Sequence, residues 1–286
     1  MTSTAPKNVG VVGGGRMGAG IAQVFATLGS TVTVTIAESG DRQAALKRVS
    51  DGLDRAHERG KLGDVDPATI LGRVSTVAAP DALPPALDLV VEAVPELVDL
   101  KLGVLALVEK TVSPTTVIAS NTSSISIAEL GSALSDPARL IGMHFFNPVP
   151  ASTLVEIVRA PATDAGVVDK VREWVAHLGK TEVLVNDSPG FATSRLGVCL
   201  GLEAIRMLEE GVADAESIDR AMELGYRHPM GPLRSTDLVG LDVRLAIAEH
   251  LAKTLGDRFA PPALLREKVA KGELGRKSGQ GFFTWS

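Results

Sequence analysis

Aromatic residues are scarce in this chain. Seven Phe, two Trp and one Tyr make up 3% of its 286 residues. So few rings leave little surface on which nucleic-acid bases could stack. Charge of one sign is lacking too: 29 Lys and Arg are interspersed with 34 Asp and Glu, a formal net charge of -5 with no basic stripe for a phosphate backbone. A nucleic-acid partner is therefore not expected, and an anionic substrate must meet a local basic patch. Cysteine is nearly absent. Cys199 alone can form neither an internal disulfide nor a metal-ligand cluster, so no metal is expected and a reducing cytoplasm suits the chain. Its place in an apolar helical pattern marks it as a core residue. Nowhere do about 18 apolar residues run together, as a membrane span requires. The opening MTSTAPKNVGVVGGG lacks the basic-then-apolar pattern of an export signal.

What is present is a chain with 45% hydrophobic content, long enough for two domains with separate cores. Through about residue 185, short β-branched runs alternate with segments of helical period, the pattern of a parallel sheet with helices on its faces. Strands are expected at Val9–Val12, Thr31–Thr35, Val74–Val77, Asp88–Val91, Thr116–Ala119, Leu140–Met143, Leu154–Val158 and Glu182–Val185. Between the first two, Met17, Ile21, Val24 and Leu28 form one helical stripe closed by Gly29. Leu46, Val49, Leu53 and Ala56 mark the face of a charged helix, and the Pro-rich piece Asp81–Pro85 reads as a loop. After Asp187-Ser188-Pro189-Gly190 the alternation stops and helical spacing takes over, as in Leu241, Leu245, Ala248, Ala252 and Leu255 before Gly256. The expected architecture is α/β: a Rossmann-type, mainly parallel sheet over residues 1–187, then an all-helical domain over 188–286.

Gly13-Gly14-Gly15-Arg16-Met17-Gly18 places Gly-x-Gly-x-x-Gly between a strand and a helix, where dinucleotide binding requires it. Gly13 would allow the tight turn, Gly15 the approach of a pyrophosphate, and Gly18 close helix–strand packing, with the anion on the helix N-terminus. A glycine-rich turn that serves packing alone is the competing reading. The acidic residue that should end the second strand and hold the ribose hydroxyls is displaced: Thr35-Ile36-Ala37-Glu38 delays the carboxylate to Glu38, which either binds cofactor or opens a solvated loop.

His144 stands where the apolar run Ile141-Gly142-Met143 breaks towards a turn, and twelve residues on Glu156 interrupts Leu154-Val155-Glu156-Ile157-Val158. A carboxylate inside such a strand must find a partner or suffer a large desolvation cost. If the turn returns the strand beside His144, the two form the base–orienter pair of general acid–base catalysis; a satisfied core histidine is the alternative. Such a pair suits oxidation of a secondary alcohol, in which a neutral imidazole takes the hydroxyl proton near pH 7. His57, His177 and His250 fall on charged helices and read as surface residues; His228, before Pro229, reads as a loop residue.

Seven ordered blocks over essentially the full length resemble the L-3-hydroxyacyl-CoA dehydrogenases of the 3-hydroxybutyryl-CoA dehydrogenase type. They are the segment from Gly13 to Gln23, Ser120-Asn121-Thr122-Ser123-Ser124, His144-Phe145-Phe146-Asn147-Pro148, Leu154-Val155-Glu156, Asp187 to Phe191, His228 to Pro232 and Gly275 to Phe282. The resemblance implies an NAD-dependent oxidoreductase of fatty acid metabolism with an acyl-coenzyme A substrate. It makes His144 the general base, Glu156 its partner and Ser123 a hydroxyl donor to substrate. Glu96, Lys101, Asn147 and Lys277 would contact the nicotinamide nucleotide, beside Gly13, Gly15, Met17, Gly18 and Ser123 of the motif blocks. Without the resemblance, Ser123 reads as a helix N-cap before Ile125. Arg55, Arg59 and Lys61 could meet coenzyme A phosphates, or simply form a solvated helix face.

The resemblance further implies an active cleft between the two domains and a helical domain that forms a homodimer. Two departures stand out. Ser194 replaces an amide that orients substrate in the family, and a serine reaches less far. Ile36 aligns with the family's ribose-binding acid; NAD is expected if Glu38 substitutes, while the loss of that charge and the nearness of Arg42 leave NADP open. A dehydrogenase of a free hydroxy acid, like gulonate dehydrogenase, is the enzymatic rival. A nucleotide-binding structural or sensor protein with little turnover is the other, though it would have no need of a base–carboxylate pair.

Overall fold

The computed structural model describes residues 5–37 and 40–285. The chain forms two compact units, Met1–Asp187 and Ser188–Ser286. In the first, the elements in chain order are β1 (Asn8–Val12), α1 (Arg16–Leu28), β2 (Thr31–Thr35), α2 (Arg42–Glu58), α3 (Pro67–Leu71), β3 (Val74–Val77) and β4 (Leu89–Glu92). They continue with α4 (Val98–Thr111), β5 (Val117–Ser120), α5 (Ile127–Gly131), β6 (Leu140–Phe145), β7 (Leu154–Arg159), α6 (Ala165–His177) and β8 (Thr181–Asn186).

The eight strands form one sheet in the order β3-β2-β1-β4-β5-β6-β7-β8. Strands β1 to β6 are parallel, β7 runs antiparallel to β6, and β8 is parallel to β7. Strands buried on both faces favour β-branched and apolar residues: Val9–Val12 of β1 and Leu89–Val91 of β4 are buried, and in β2 the buried Val32 and Val34 alternate with the buried Thr33 and Thr35. The strand order reverses direction at β1, which lies between β2 and β4. In such sheets that switch point leaves a crevice outside the carboxyl ends of the strands, where ligands bind.

Helix α1 buries Ala19, Ile21, Ala22, Phe25 and Ala26, whereas Met17, Val24 and Leu28 of the expected stripe are half-buried at the edge of that face. Gly29, at φ 109°, ends it. Phe25 meets Phe145 edge-on, with ring centroids 6.5 Å apart. The expected strands Asp88–Val91 and Thr116–Ala119 each lie one residue later, at β4 and β5. Asp88 accepts the N–H groups of Lys7 (2.8 Å) and Asn8 (2.9 Å), and Thr116 donates to the Leu87 carbonyl (2.7 Å), so both polar residues tie down the strand entrances. At the other end Glu92 and Ser120 extend the strands as direct neighbours in register.

The second unit consists of α7 (Thr193–Glu209), α8 (Ala215–Gly225), α9 (Pro232–Val239), α10 (Leu241–Leu255) and α11 (Ala263–Ala270). Val198, Leu202, Ile205, Leu233, Leu241 and Leu251 lie in its core. The fully buried Asp237 accepts N–H groups of Phe282 (2.9 Å), Phe283 (2.9 Å) and the Trp285 ring (2.8 Å), which fastens the final segment to α9. Cys199 is exposed, contrary to the core position expected of it. Helix α7 buries Val198, Gly201, Leu202 and Ile205, and the next position after Val198 is rotated about 100° off that face. Among the described residues no helix is long and apolar enough to cross a membrane.

The tightest helix–turn approach is at Gly18, where an added Cβ would collide with the Gly13 carbonyl oxygen. Gly18→Ala is expected to cost about 1–3 kcal/mol through overpacking. Urea denaturation measures this, and an unchanged midpoint would refute the contact.

Candidate active site

The carboxyl ends of the parallel strands carry most of the residues singled out above. After β1, Gly13 takes φ 111°, and a Cβ there would meet the Ala93 carbonyl at 2.7 Å. Gly15 is the N-cap of α1; among the described residues no side chain caps the first N–H groups of the helix, and no acidic residue lies in its first turn. A Cβ at Gly15 would meet nothing within 4 Å. Open space in front of undirected N–H groups at a positive helix end fits a pyrophosphate. Met17 packs its side chain against the core and offers only its backbone N–H to this end. Glu38 lies outside the described residues.

At the ends of β4 and β5 stands a chain of charges. Glu92 is fully buried and Lys101 is 1% exposed. The Lys101 ammonium bonds Glu92 Oε1 at 2.7 Å and the Val94 carbonyl at 3.3 Å, and ion-pairs with Glu96 Oε2 at 3.3 Å. Glu92 Oε2 also accepts from Ser120 Oγ at 2.6 Å. Glu96 Oε1 in turn accepts from Thr122 Oγ1 (2.6 Å), Ser123 N–H (2.8 Å), Ser123 Oγ (3.2 Å) and Ser124 N–H (3.2 Å). Burial alone would raise the Glu96 carboxyl, but the Lys101 charge and the hydrogen bonds from Thr122 and Ser123 outweigh it and hold the group below its ordinary range.

Lys101, expected at the nucleotide, is met by two carboxylates inside the fold. The geometry corrects one reading of the sequence. Ser123 is not a helix N-cap: Ser126 caps α5, accepting from Glu129 N–H at 3.2 Å, while Ser123 belongs to the loop that Glu96 gathers.

The antiparallel pairing of β6 and β7 places His144 directly opposite Glu156. Nδ1 of the imidazole lies 2.8 Å from Glu156 Oε2. Glu156 is fully buried and His144 is 7% exposed. A carboxylate facing Nδ1 fixes the tautomer with its proton there, which puts the ring's lone pair at Nε2. The connection between the strands is held by Lys180, which donates to the carbonyls of Val149 (2.7 Å) and Ser152, and burial pulls this ammonium below the ordinary lysine range. Asn121 Oδ1 accepts the Phe145 N–H at 2.8 Å and so ties the Ser123 loop to the strand residue next to His144.

Asn147 is exposed in the turn after β6. Arg55, Arg59 and Lys61 are exposed at the far end of α2, with Arg55 about 15 Å along the helix from Ala45, which borders the glycine turn. In the helical unit, Ser194 sits in the first turn of α7, and the Lys277 ammonium is held by both carboxylate oxygens of Asp242 at 2.5 and 2.6 Å. His57, His177 and His250 are exposed and His228 is half-buried in a loop, as their sequence contexts suggested.

Comparison with known proteins gives the family. Residues 8–188 match the family model of the 3-hydroxyacyl-CoA dehydrogenase NAD binding domain, and residues 190–285 match that of the 3-hydroxyacyl-CoA dehydrogenase C-terminal domain. The chain belongs to the 3-hydroxyacyl-CoA dehydrogenase family. It is 44% identical over 281 residues to a probable 3-hydroxybutyryl-CoA dehydrogenase of Deinococcus radiodurans, covering 96% of this chain and 99% of that one. Among solved structures, FadB2 of M. tuberculosis is similar with a TM-score of 0.94 at 40% identity, covering 99% of this chain and 100% of the other. The (S)-3-hydroxybutyryl-CoA dehydrogenase PaaH1 from Ralstonia eutropha gives 0.93 at 41% identity, with the same coverage. As a member of an NAD-dependent oxidoreductase family, the chain carries an NAD-binding domain whose glycine turn has the open helix end described above.

Sequence reasoning did not single out Glu92, Asn121 or Lys180. The signal for Glu92 was the same as for Glu156, a carboxylate closing an apolar strand, Leu89-Val90-Val91-Glu92. Lys101→Met would leave Glu92 buried and uncompensated, an expected loss of about 3–5 kcal/mol, and adding Glu92→Gln should recover much of it. Denaturation of the two variants checks this; equal stability of Lys101→Met and wild type would contradict the buried pair. The Glu96 contribution should be present above the ordinary glutamate range and be lost as pH falls through its lowered value.

Proposed function

We propose that this dehydrogenase interconverts a short-chain (3S)-3-hydroxyacyl-CoA, with 3-hydroxybutyryl-CoA as the central substrate, and the corresponding 3-oxoacyl-CoA. The carrying observation is the buried His144–Glu156 pair, 2.8 Å apart across β6 and β7. The names of the Deinococcus and Ralstonia relatives support the substrate class. Bound NAD supplies the acceptor for the hydride leaving C3 of the substrate. His144 takes the proton of the C3 hydroxyl at Nε2, so that the C–O bond becomes a carbonyl as the C3–H bond breaks, and returns it in the reverse reduction. Glu156 orients the ring and stabilises the imidazolium. Ser123, positioned by Glu96, donates a hydrogen bond to the substrate oxygen. Gly15, Met17 and Gly18 receive the pyrophosphate through backbone N–H groups at the start of α1, Gly13 makes the turn with its own N–H on the Thr35 carbonyl at 3.1 Å, and Glu96, Lys101 and Asn147 serve the nicotinamide nucleotide.

The same reading gives Lys277 to the nucleotide and Ser194 to the substrate, with a contact shorter than an amide would make. Arg55, Arg59 and Lys61 offer three exposed cations for coenzyme A phosphates. A second copy of the chain is the partner, supported by the exposed apolar side chains Leu196 (70%), Leu224 (76%), Tyr226 (76%) and Val239 (44%) on the helical unit. An exposed thiol at Cys199 is compatible with a reducing cytoplasm.

His144→Ala is expected to lower turnover of acetoacetyl-CoA reduction by about two to four orders of magnitude, the span of a general base, while the folded protein still binds cofactor. Spectrophotometric assay of the purified variant decides it. Near-normal turnover would remove His144 from the chemistry.

A further inference from the structure

The corner between the glycine turn, the end of β2 and helix α2 has a composition unlike that of an adenosine site selective for NAD. In Rossmann-type domains a carboxylate at the end of the second strand accepts the ribose hydroxyls, while a nearby arginine accommodates a 2'-phosphate. Here the residue after β2 is Ile36, 6% exposed and part of the apolar core. Its N–H bonds the Val77 carbonyl at 2.9 Å, which fixes its place beside the sheet. Its side chain closes on the turn so tightly that a Cβ at Gly14 would overlap Ile36 Cδ1 and come within 2.9 Å of Ala45 Cβ. One turn beyond Ala45 on α2, the exposed Arg48 reaches back to the same place, donating from Nη1 to the Gly14 carbonyl at 3.2 Å. Gly14, Ile36, Ala45 and Arg48 thus meet at one point, with an apolar group at the strand end and a guanidinium over the turn.

We infer that this corner accepts the 2'-phosphate of NADP as well as the ribose of NAD, with Arg48 as the residue that meets the phosphate. The inference rests on the proposed cofactor site and concerns how that site discriminates. Arg48 bonds a neutral carbonyl, which holds the guanidinium in place without neutralising it, and two parallel faces of its fork suit a phosphate. Among the described residues, the other charged side chains next to the turn and the start of α2 are Arg16 and Arg42, both exposed, and Asp41, which is occupied in capping α2 through the Ala44 N–H at 3.0 Å; Glu38 lies outside the described residues. Ile36 brings no charge to repel the phosphate and no oxygen to accept from the ribose, so selectivity for NAD loses both of its usual sources at this position.

Isothermal titration of the intact protein with NAD+ and with NADP+, without substrate, reads the discrimination directly. Wild type should bind the two within about tenfold of each other. Arg48→Leu should raise the ratio of the NADP+ to the NAD+ dissociation constant by about tenfold or more, the range of a charge-assisted hydrogen bond. Ile36→Asp should shift the ratio the same way by adding a carboxylate. NAD+ binding more than a hundredfold tighter than NADP+ in wild type, or a ratio unmoved by Arg48→Leu, would overturn the inference and leave the NAD site standing. Failure to bind either dinucleotide would instead overturn the cofactor site on which it rests.

Discussion

A carboxylate with no water around it must be met by a cation or a donor, and in this protein Glu156 imposes that demand on the middle of a strand. It is fully buried, with apolar neighbours on both sides along β7. An unpartnered charge there would cost several kcal/mol, so the fold is stable only in a register that brings a partner opposite. Antiparallel pairing with β6 provides one in His144. Slipping either strand by one residue would turn one of the two side chains to the other face and break the 2.8 Å contact, so the pair also favours this register. The direction change at β7 matters for the proposed chemistry: on a sheet otherwise parallel through β6, it lets one short connection set the proposed base and its orienter side by side.

The same logic recurs at the neighbouring strand ends. Glu92 is as deeply buried as Glu156, and Lys101 compensates it. The remaining capacity of that ammonium goes to Glu96, whose second oxygen gathers Thr122, Ser123 and Ser124. Asn121 then links this loop to Phe145. The loop between β5 and α5 is thus held by charges rooted in the core, which keeps the Ser123 hydroxyl placed with little freedom.

Much of this was legible in the sequence because apolar periodicity and glycine placement are local. The runs of β1, β2 and β3 could be read to within a residue, as could the existence of α1 and α2, although α1 turns a neighbouring face inward. Polar residues at strand entrances and exits misled the boundaries of β4 and β5, since Asp88 and Thr116 find their partners on other segments. Cys199 misled because apolar spacing on α7 does not reveal which of two adjacent positions faces inward. The His144–Glu156 pair was legible as a demand, a carboxylate needing a partner, though only the sheet register supplies the answer. Lys101 was legible only by resemblance, and its bond to Glu92, nine residues earlier, is one that no local pattern announces. Arg48 gave no signal, because nothing in a charged helix announces which cation reaches back 34 residues to a glycine turn.

If Glu156 acts through His144, the two form a unit and their losses cannot be independent. The decisive measurement is turnover with acetoacetyl-CoA in His144→Ala, Glu156→Gln and the double variant, each checked for folding. The double variant should be no slower than His144→Ala alone, within about threefold, because removing the orienter costs nothing once the base is gone. Losses that multiply in the double variant would contradict the account, showing that Glu156 serves the reaction by a route that does not pass through the imidazole.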